Sequence, residues 1–216
     1  MIIEKYILVD LHMDEELDDH RGYGVVRWWA VVSSSAAPVL LIGGWTVAAA
    51  LRPGFDPVVA TISDLARLGT PHRWLMTVAL LGLGVCHVVT ALGLRAAAPA
   101  GRVLLAVGGV ATLLVAANPL PAGDGSSRTH TLAAAVAFTA LSVWPLARRA
   151  RAYLVAAAVL CALLGWFAAE LFAAGPHIGL SERAAAGAQA LWPLLAVTTA
   201  RARRPRRDRP GRVIRR

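Results

Sequence analysis

Six apolar runs divide the chain between residues 28 and 200, and each is at least sixteen residues long. They cover 28–51, 73–94, 102–117, 130–147, 152–174 and 184–200. Roughly 20 apolar residues make a helix long enough to cross bilayer hydrocarbon. The shorter runs reach across with flanking residues or local thinning of the bilayer. Breakers fall between the runs, at Pro53-Gly54, Pro99-Ala100-Gly101, Pro119 to Gly125 and Gly175-Pro176. Pro38, Pro145 and Pro193 lie inside or near the ends of runs, where membrane helices tolerate them with local kinks. The expected fold is therefore all-α: a polytopic membrane protein with six transmembrane helices in one bundle.

Composition supports this. The 216 residues are 57% hydrophobic and 16% charged, with mean hydropathy +0.57. A soluble domain carries about 45–50% apolar and about 25% charged residues. These figures exclude a disordered chain, a disulfide-stapled secreted domain and an ordinary soluble enzyme. The Ala, Gly and Arg bias suggests a GC-rich bacterial genome. Cys86 and Cys161 both lie inside apolar runs and are read as buried apolar residues, not a disulfide framework.

Net charge is +9, and 21 of the 22 basic residues are Arg. With six spans both termini share a side. That side carries seventeen basic residues, nine of them in 201–216, against five on the other: Arg52, Arg67, Arg73, Arg128 and Arg183. The positive-inside rule then puts both termini in the cytoplasm of a bacterial plasma membrane. Three divisions follow: an acidic cytoplasmic head over 1–27, a membrane domain over 28–200 and an Arg-rich cytoplasmic tail over 201–216. The head holds seven acids and three bases, so it is expected to be a solvated segment and not a cleavable signal; Met13 is an alternative start. The tail is expected to contact anionic lipid, at about 1 kcal/mol per basic residue near the surface. No groove-reading or aromatic element accompanies it, so nucleic acid is not an expected partner, and a protein partner is not specified. Trp28, Trp29, Trp74 and Trp144 lie near span ends, as interfacial anchors do.

The first outer loop is the most patterned. Asp56 before Pro57 reads as a helix N-cap with Pro at the first helical position, and Gly69 as the stop. A three-turn amphipathic helix fits between them, with Val58, Ile62 and Leu65 on one stripe and Ser63, Asp64 and Arg67 opposite. Other polar groups fall at the same level. His130 opens the fourth run, next to Asp124 and Arg128; Glu170 sits about 27 Å up the fifth; His177 follows; Glu182-Arg183 opens the sixth. His87 lies deeper, beside Cys86.

Ionisable groups at membrane depth are costly and point to function. Asp64, His130, Glu170 and Glu182 are the candidate acid–base groups. Arg52, Asp56, Ser63, Asp64, His130, Glu182 and Arg183 are the candidate binding set. Plainer roles stand beside these: Asp64 pairing with Arg67 at i+3, Glu170 as an interfacial acid, His130 as a helix start, and His87 as a hydrogen-bonded packing residue. Ser63 and Asp64 are adjacent on a helix, so they point about 100° apart and do not form a ready dyad. No His-x-x-His or His-Glu-x-x-His spacing occurs, so neither a metal nor another cofactor is expected.

The run Pro53-Gly54-Phe55-Asp56-Pro57 through Ile62-Ser63-Asp64-Leu65, just after the first span, resembles the bacterial membrane proteins of domain-of-unknown-function family 998. His130, and Gly179-Leu180-Ser181-Glu182-Arg183 before the sixth span, fit the same pattern. The resemblance covers about residues 33–200. It departs after the third span, where Pro121 and Asp124 are separated by two residues instead of forming a Pro-x-Asp turn. It implies six helices and a plasma-membrane location, and no known reaction. The leading expectation is non-enzymatic binding of a lipid or a partner through the outer polar cluster. An intramembrane hydrolase or transferase acting on lipid headgroups is the alternative, and a transporter component the third.

Overall fold

The computed structural model describes residues 26–202. Seven helices account for most of them: α1 Trp28–Ala50, α2 Ile62–Leu65, α3 Arg73–Gly93, α4 Pro99–Ala117, α5 Arg128–Val143, α6 Arg151–Phe172 and α7 Ile178–Ala202. Trp144–Ala147 continues α5 as a 3-10 turn. No strand occurs among the described residues; an isolated bridge joins Val26 to Leu94. The fold is all-α, and among the described residues five helical segments are long and apolar enough to cross a membrane: α1, α3, α4, α5 with its 3-10 turn, and α6. At 25 residues α7 is the longest, but its first half carries Ser181, Glu182, Arg183 and Gln189.

Helix ends lie within a few residues of the apolar runs. At the sixth the difference is largest: α7 begins at Ile178, so Glu182 and Arg183 lie inside the helix and not at its threshold. Each long helix packs against the next in the chain, and α7 returns to α1. The six long helices thus close into a ring, with neighbouring helices antiparallel. Large apolar side chains such as Val39, Val78, Leu92, Val103 and Leu195 point outward and are exposed. Small residues line the contacts, the arrangement by which membrane helices gain packing without a hydrophobic drive between them. Backbone meets backbone between α3 and α4: a Cβ on Gly84 would lie 2.8 Å from the Gly109 carbonyl, and one on Gly109 equally close to that of Gly84.

At the end opposite loop one, Arg27 N donates to the Gly93 carbonyl at 3.1 Å, and Arg102 Nε to that of Ala91 at 2.8 Å. Trp144 is not the interfacial anchor its position suggests. It is buried at 1% exposure, because the 3-10 turn at Pro145 folds it inward, edge-on to Tyr153. Tyr153 in turn meets Trp192 edge-on. Trp28 and Trp74 are exposed, as anchors are.

Candidate functional site

Loop one lies across the mouth of the ring. Its helix is shorter than the periodicity predicts. Asp56 does not cap an α-helix; its Oδ1 accepts from Val58 N at 2.8 Å in a tight turn. The chain extends at Thr61, and α2 runs for one turn from Ile62 to Leu65. Thr61 and Asp64 form a reciprocal capping box: Asp64 N donates to Thr61 Oγ1 at 3.1 Å and Thr61 N to Asp64 Oδ2 at 2.9 Å. Ile62 and Leu65 are buried beneath the turn, as the stripe predicts, but Val58, its third member, is exposed, and Ser63 lines the same cavity as Ile62.

The charged residues around α2 bind one another and the backbone. Arg67 Nη2 pairs with Asp64 Oδ1 at 2.7 Å. Arg67 Nη1 reaches the carbonyls of Pro121, Gly123 and Gly125, tying loop one to the turn after α4. Arg52 Nη1 donates to the Asp64 carbonyl at 3.1 Å. Arg183 Nη1 donates to the carbonyls of Pro57 and Ala60, each at 2.8 Å, and to Gly179 at 2.9 Å. Both Arg52 and Arg183 lie over the Phe55 ring. Glu182, 5% exposed, accepts the Ile62 amide through Oε2. Burial favours the neutral form of Asp64, but Arg67 and the Thr61 hydroxyl and amide outweigh it and hold the carboxyl below its ordinary range.

Glu170 stands apart from this group. It closes the α6–α7 turn by accepting His177 N at 2.9 Å and faces the His177 ring at 3.8 Å. The candidate set therefore divides. Arg52, Asp64, Glu182 and Arg183 converge on α2; Asp56 is peripheral to it; Glu170 serves another turn.

Ser63 and His130 meet, although 67 positions separate them. Ser63 Oγ lies 3.1 Å from His130 Nε2, and His130 Nδ1 lies 2.9 Å from the Asn118 carbonyl. A carbonyl only accepts, so Nδ1 carries the proton and Nε2 is left to accept from the serine hydroxyl. Ser127 positions the ring by capping α5, its Oγ accepting His130 N at 3.3 Å.

Beneath Ser63 the ring holds a partly open cavity of about 60 Å³. Helical stripes build it: Leu80, Leu83 and His87 on α3, Thr112 and Val115 on α4, Ala134, Ala137, Phe138 and Leu141 on α5, and Glu182, Ala186 and Gln189 on α7. Leu41 and α2 complete it. Glu182 and Gln189 are seven residues apart on one helix face, so the cavity runs about 10 Å down α7. Most of the wall is apolar. The polar groups are Ser63 and Glu182 near the loop, and Thr112, Gln189 and His87 below. His87 is 1% exposed, and its Nδ1 has no partner among the described residues. Gln189 Nε2 is engaged by the Phe138 carbonyl and Ser142 Oγ, each at 2.9 Å.

Sequence reasoning named Ser63 and His130 separately and missed that they pair; no local spacing signals it. It also missed Gln189, whose i+7 relation to Glu182 was a readable sign of one polar helix face.

No curated protein and no solved structure matches the chain. A family model described as "Protein of unknown function (DUF998)" matches residues 35–199, from the first long helix through nearly all of the last. That match takes in loop one, the Ser63–His130 pair and every helix lining the cavity, and the chain is a member of the DUF998 family.

Proposed function

We propose that this protein binds a small amphiphile of the lipid class in the cavity beneath α2, within a six-span bundle of the bacterial plasma membrane. The cavity carries the reading. It joins apolar walls to hydrogen-bonding groups at both ends, and the buried His87 Nδ1, without a partner among the described residues, is a costly feature that a polar ligand atom would relieve. The outer charges are a weaker basis for binding, because Asp64, Arg67 and Glu182 already bond to the chain itself.

Six spans require α7 to cross. Its length supports that: 25 residues extend about 37 Å, more than the roughly 30 Å of hydrocarbon. Its polar residues face the cavity and loop one, where protein covers them. Even spans put the Arg-rich tail beside the inner leaflet, where anionic lipid would hold it.

The full chain in nanodiscs, irradiated with a monoacylglycerol carrying a diazirine in a short acyl chain, tests the reading. Adducts are expected on Leu80, Leu83 or Val115. Ala137→Leu, which fills the cavity, should cut them about tenfold, a change that needs only ~1.4 kcal/mol. Adducts confined to the outward-facing Val78 and Val85, unchanged by Ala137→Leu, would overturn it.

A further inference from the structure

We infer that Ser63 and His130 form a nucleophile–base pair that cleaves carboxylic esters of the amphiphile bound in this cavity. The inference rests on the binding reading above and adds chemistry to it. Two geometric facts carry it. The hydroxyl and the imidazole are within hydrogen-bond reach at 3.1 Å, and the far nitrogen is fixed by the Asn118 carbonyl at 2.9 Å, so the ring holds the tautomer that accepts a proton from serine. A backbone carbonyl here does the orienting that a carboxylate does in other such groups. Asp64 is not the third member: its carboxylate is committed to Thr61 and Arg67.

The second fact is access. Ser63 lines the cavity, while His130 lies behind it, only 6% exposed. A serine that lines a largely apolar space, paired with a base that does not line it, can meet an ester bound there.

The step balances as follows. Ser63 Oγ attacks the ester carbonyl carbon, and its proton passes to His130 Nε2. The bond from that carbon to the alcohol oxygen breaks, and the alcohol leaves with the proton from His130. Water then attacks the acyl–serine ester, His130 again taking and returning the proton, to release the carboxylic acid. The acyl group lies along Leu41, Leu80, Leu83 and Val115. A water molecule needs about 10–15 Å³ by the same measure, so about 60 Å³ suits an acyl chain of a few carbons.

The test uses the full chain in nanodiscs and a fluorophosphonate, which reports an activated serine by forming a covalent adduct with loss of fluoride. One adduct per chain, mapped to Ser63, is expected, together with hydrolysis of p-nitrophenyl butyrate that the adduct blocks one-to-one. His130→Gln should slow labelling by about 10²-fold or more, the usual contribution of a positioned base. A folded wild-type protein with no Ser63 adduct overturns the inference, as does equal labelling of a folded His130→Gln. If that variant does not fold, the wild-type ester assay decides: no hydrolysis blocked by Ser63 labelling overturns it. Photo-crosslinking inside the cavity without a Ser63 adduct removes the catalysis and leaves the binding; a Ser63 adduct without cavity crosslinks removes the binding reading alone.

Discussion

Asp64 holds loop one together through a single carboxylate. One oxygen takes the Thr61 amide and hydroxyl; the other takes Arg67, whose guanidinium goes on to three carbonyls of the turn after α4. Hydrogen bonds to a charged group contribute about 1.5–3 kcal/mol each when a partner is removed. Asp64→Asn keeps the shape and loses the charge, so a loss of about 2 kcal/mol is expected, read as a lower melting temperature in detergent at neutral pH. The pH dependence has a definite sign. The folded carboxyl titrates below its ordinary value near 4, so its stabilisation is complete above that value and is lost as pH falls through the lower, folded one. Wild type should therefore lose melting temperature on acidification below about pH 4, and Asp64→Asn should lose less. Equal slopes for the two proteins would show that the Asp64 charge does not hold the loop.

The helix in loop one shows what a local pattern can and cannot foretell. Val58, Ile62 and Leu65 satisfy the helical period, and a helix from 57 to 69 would have used the carbonyls of Pro57, Val58 and Ala60. Those carbonyls go instead to α7, with Pro57 and Ala60 bonded to Arg183 and Val58 to Leu180 N at 3.0 Å. Glu182 takes the Ile62 amide and Thr61 that of Asp64. A distant element outcompeted the local one over the first turn, and only the middle turn, Ile62–Leu65, is helical. The long helices were legible because their apolar length and Pro–Gly boundaries are local. The Asp64–Arg67 pair was legible at i+3, and the Thr61–Asp64 capping box could have been read. Ser63 meeting His130 was not, since it depends on how α2 is pressed into the ring. Gly179 makes that seating possible: a Cβ there would lie 2.7 Å from the Pro57 carbonyl and closer still to that of Ala60. Helix propensity alone would make Gly179→Ala stabilising by about 1 kcal/mol. Overpacking against backbone costs about 1–3 kcal/mol and should win. The variant is expected to melt lower and to label more slowly at Ser63; a higher melting temperature would mean that α7 and loop one are not in close contact.

At the scale of the whole molecule the question is which way the ring faces. Its two ends differ chemically. One carries α2, the Ser63–His130 pair and the turn from Asn118 to Ser127, stitched together by Arg67 and Arg183. The other carries the turns 94–98 and 148–150, where Arg102 and Arg148 bind backbone carbonyls. α7 ends at this second end with Ala202, and 201–216 holds nine arginines, so the positive-inside rule opposes moving that end across a membrane. Without the tail the bias keeps its sign but is smaller, so removal of 203–216 should produce a mixed population and not a clean reversal. Single cysteines decide this in a background with Cys86 and Cys161 replaced by Ala. Thr70→Cys, in loop one, should react with a membrane-impermeant maleimide on intact cells; Ala150→Cys should react only after permeabilisation. A cysteine placed in the tail should follow Ala150→Cys if α7 crosses the membrane. If it follows Thr70→Cys instead, α7 does not cross and the chain has five spans; its polar first half would then be an interfacial segment, and the cavity would have one wall open to water. That outcome would also place Gln189 and His87 within reach of solvent, so the topology experiment bears on the ligand as directly as on the fold.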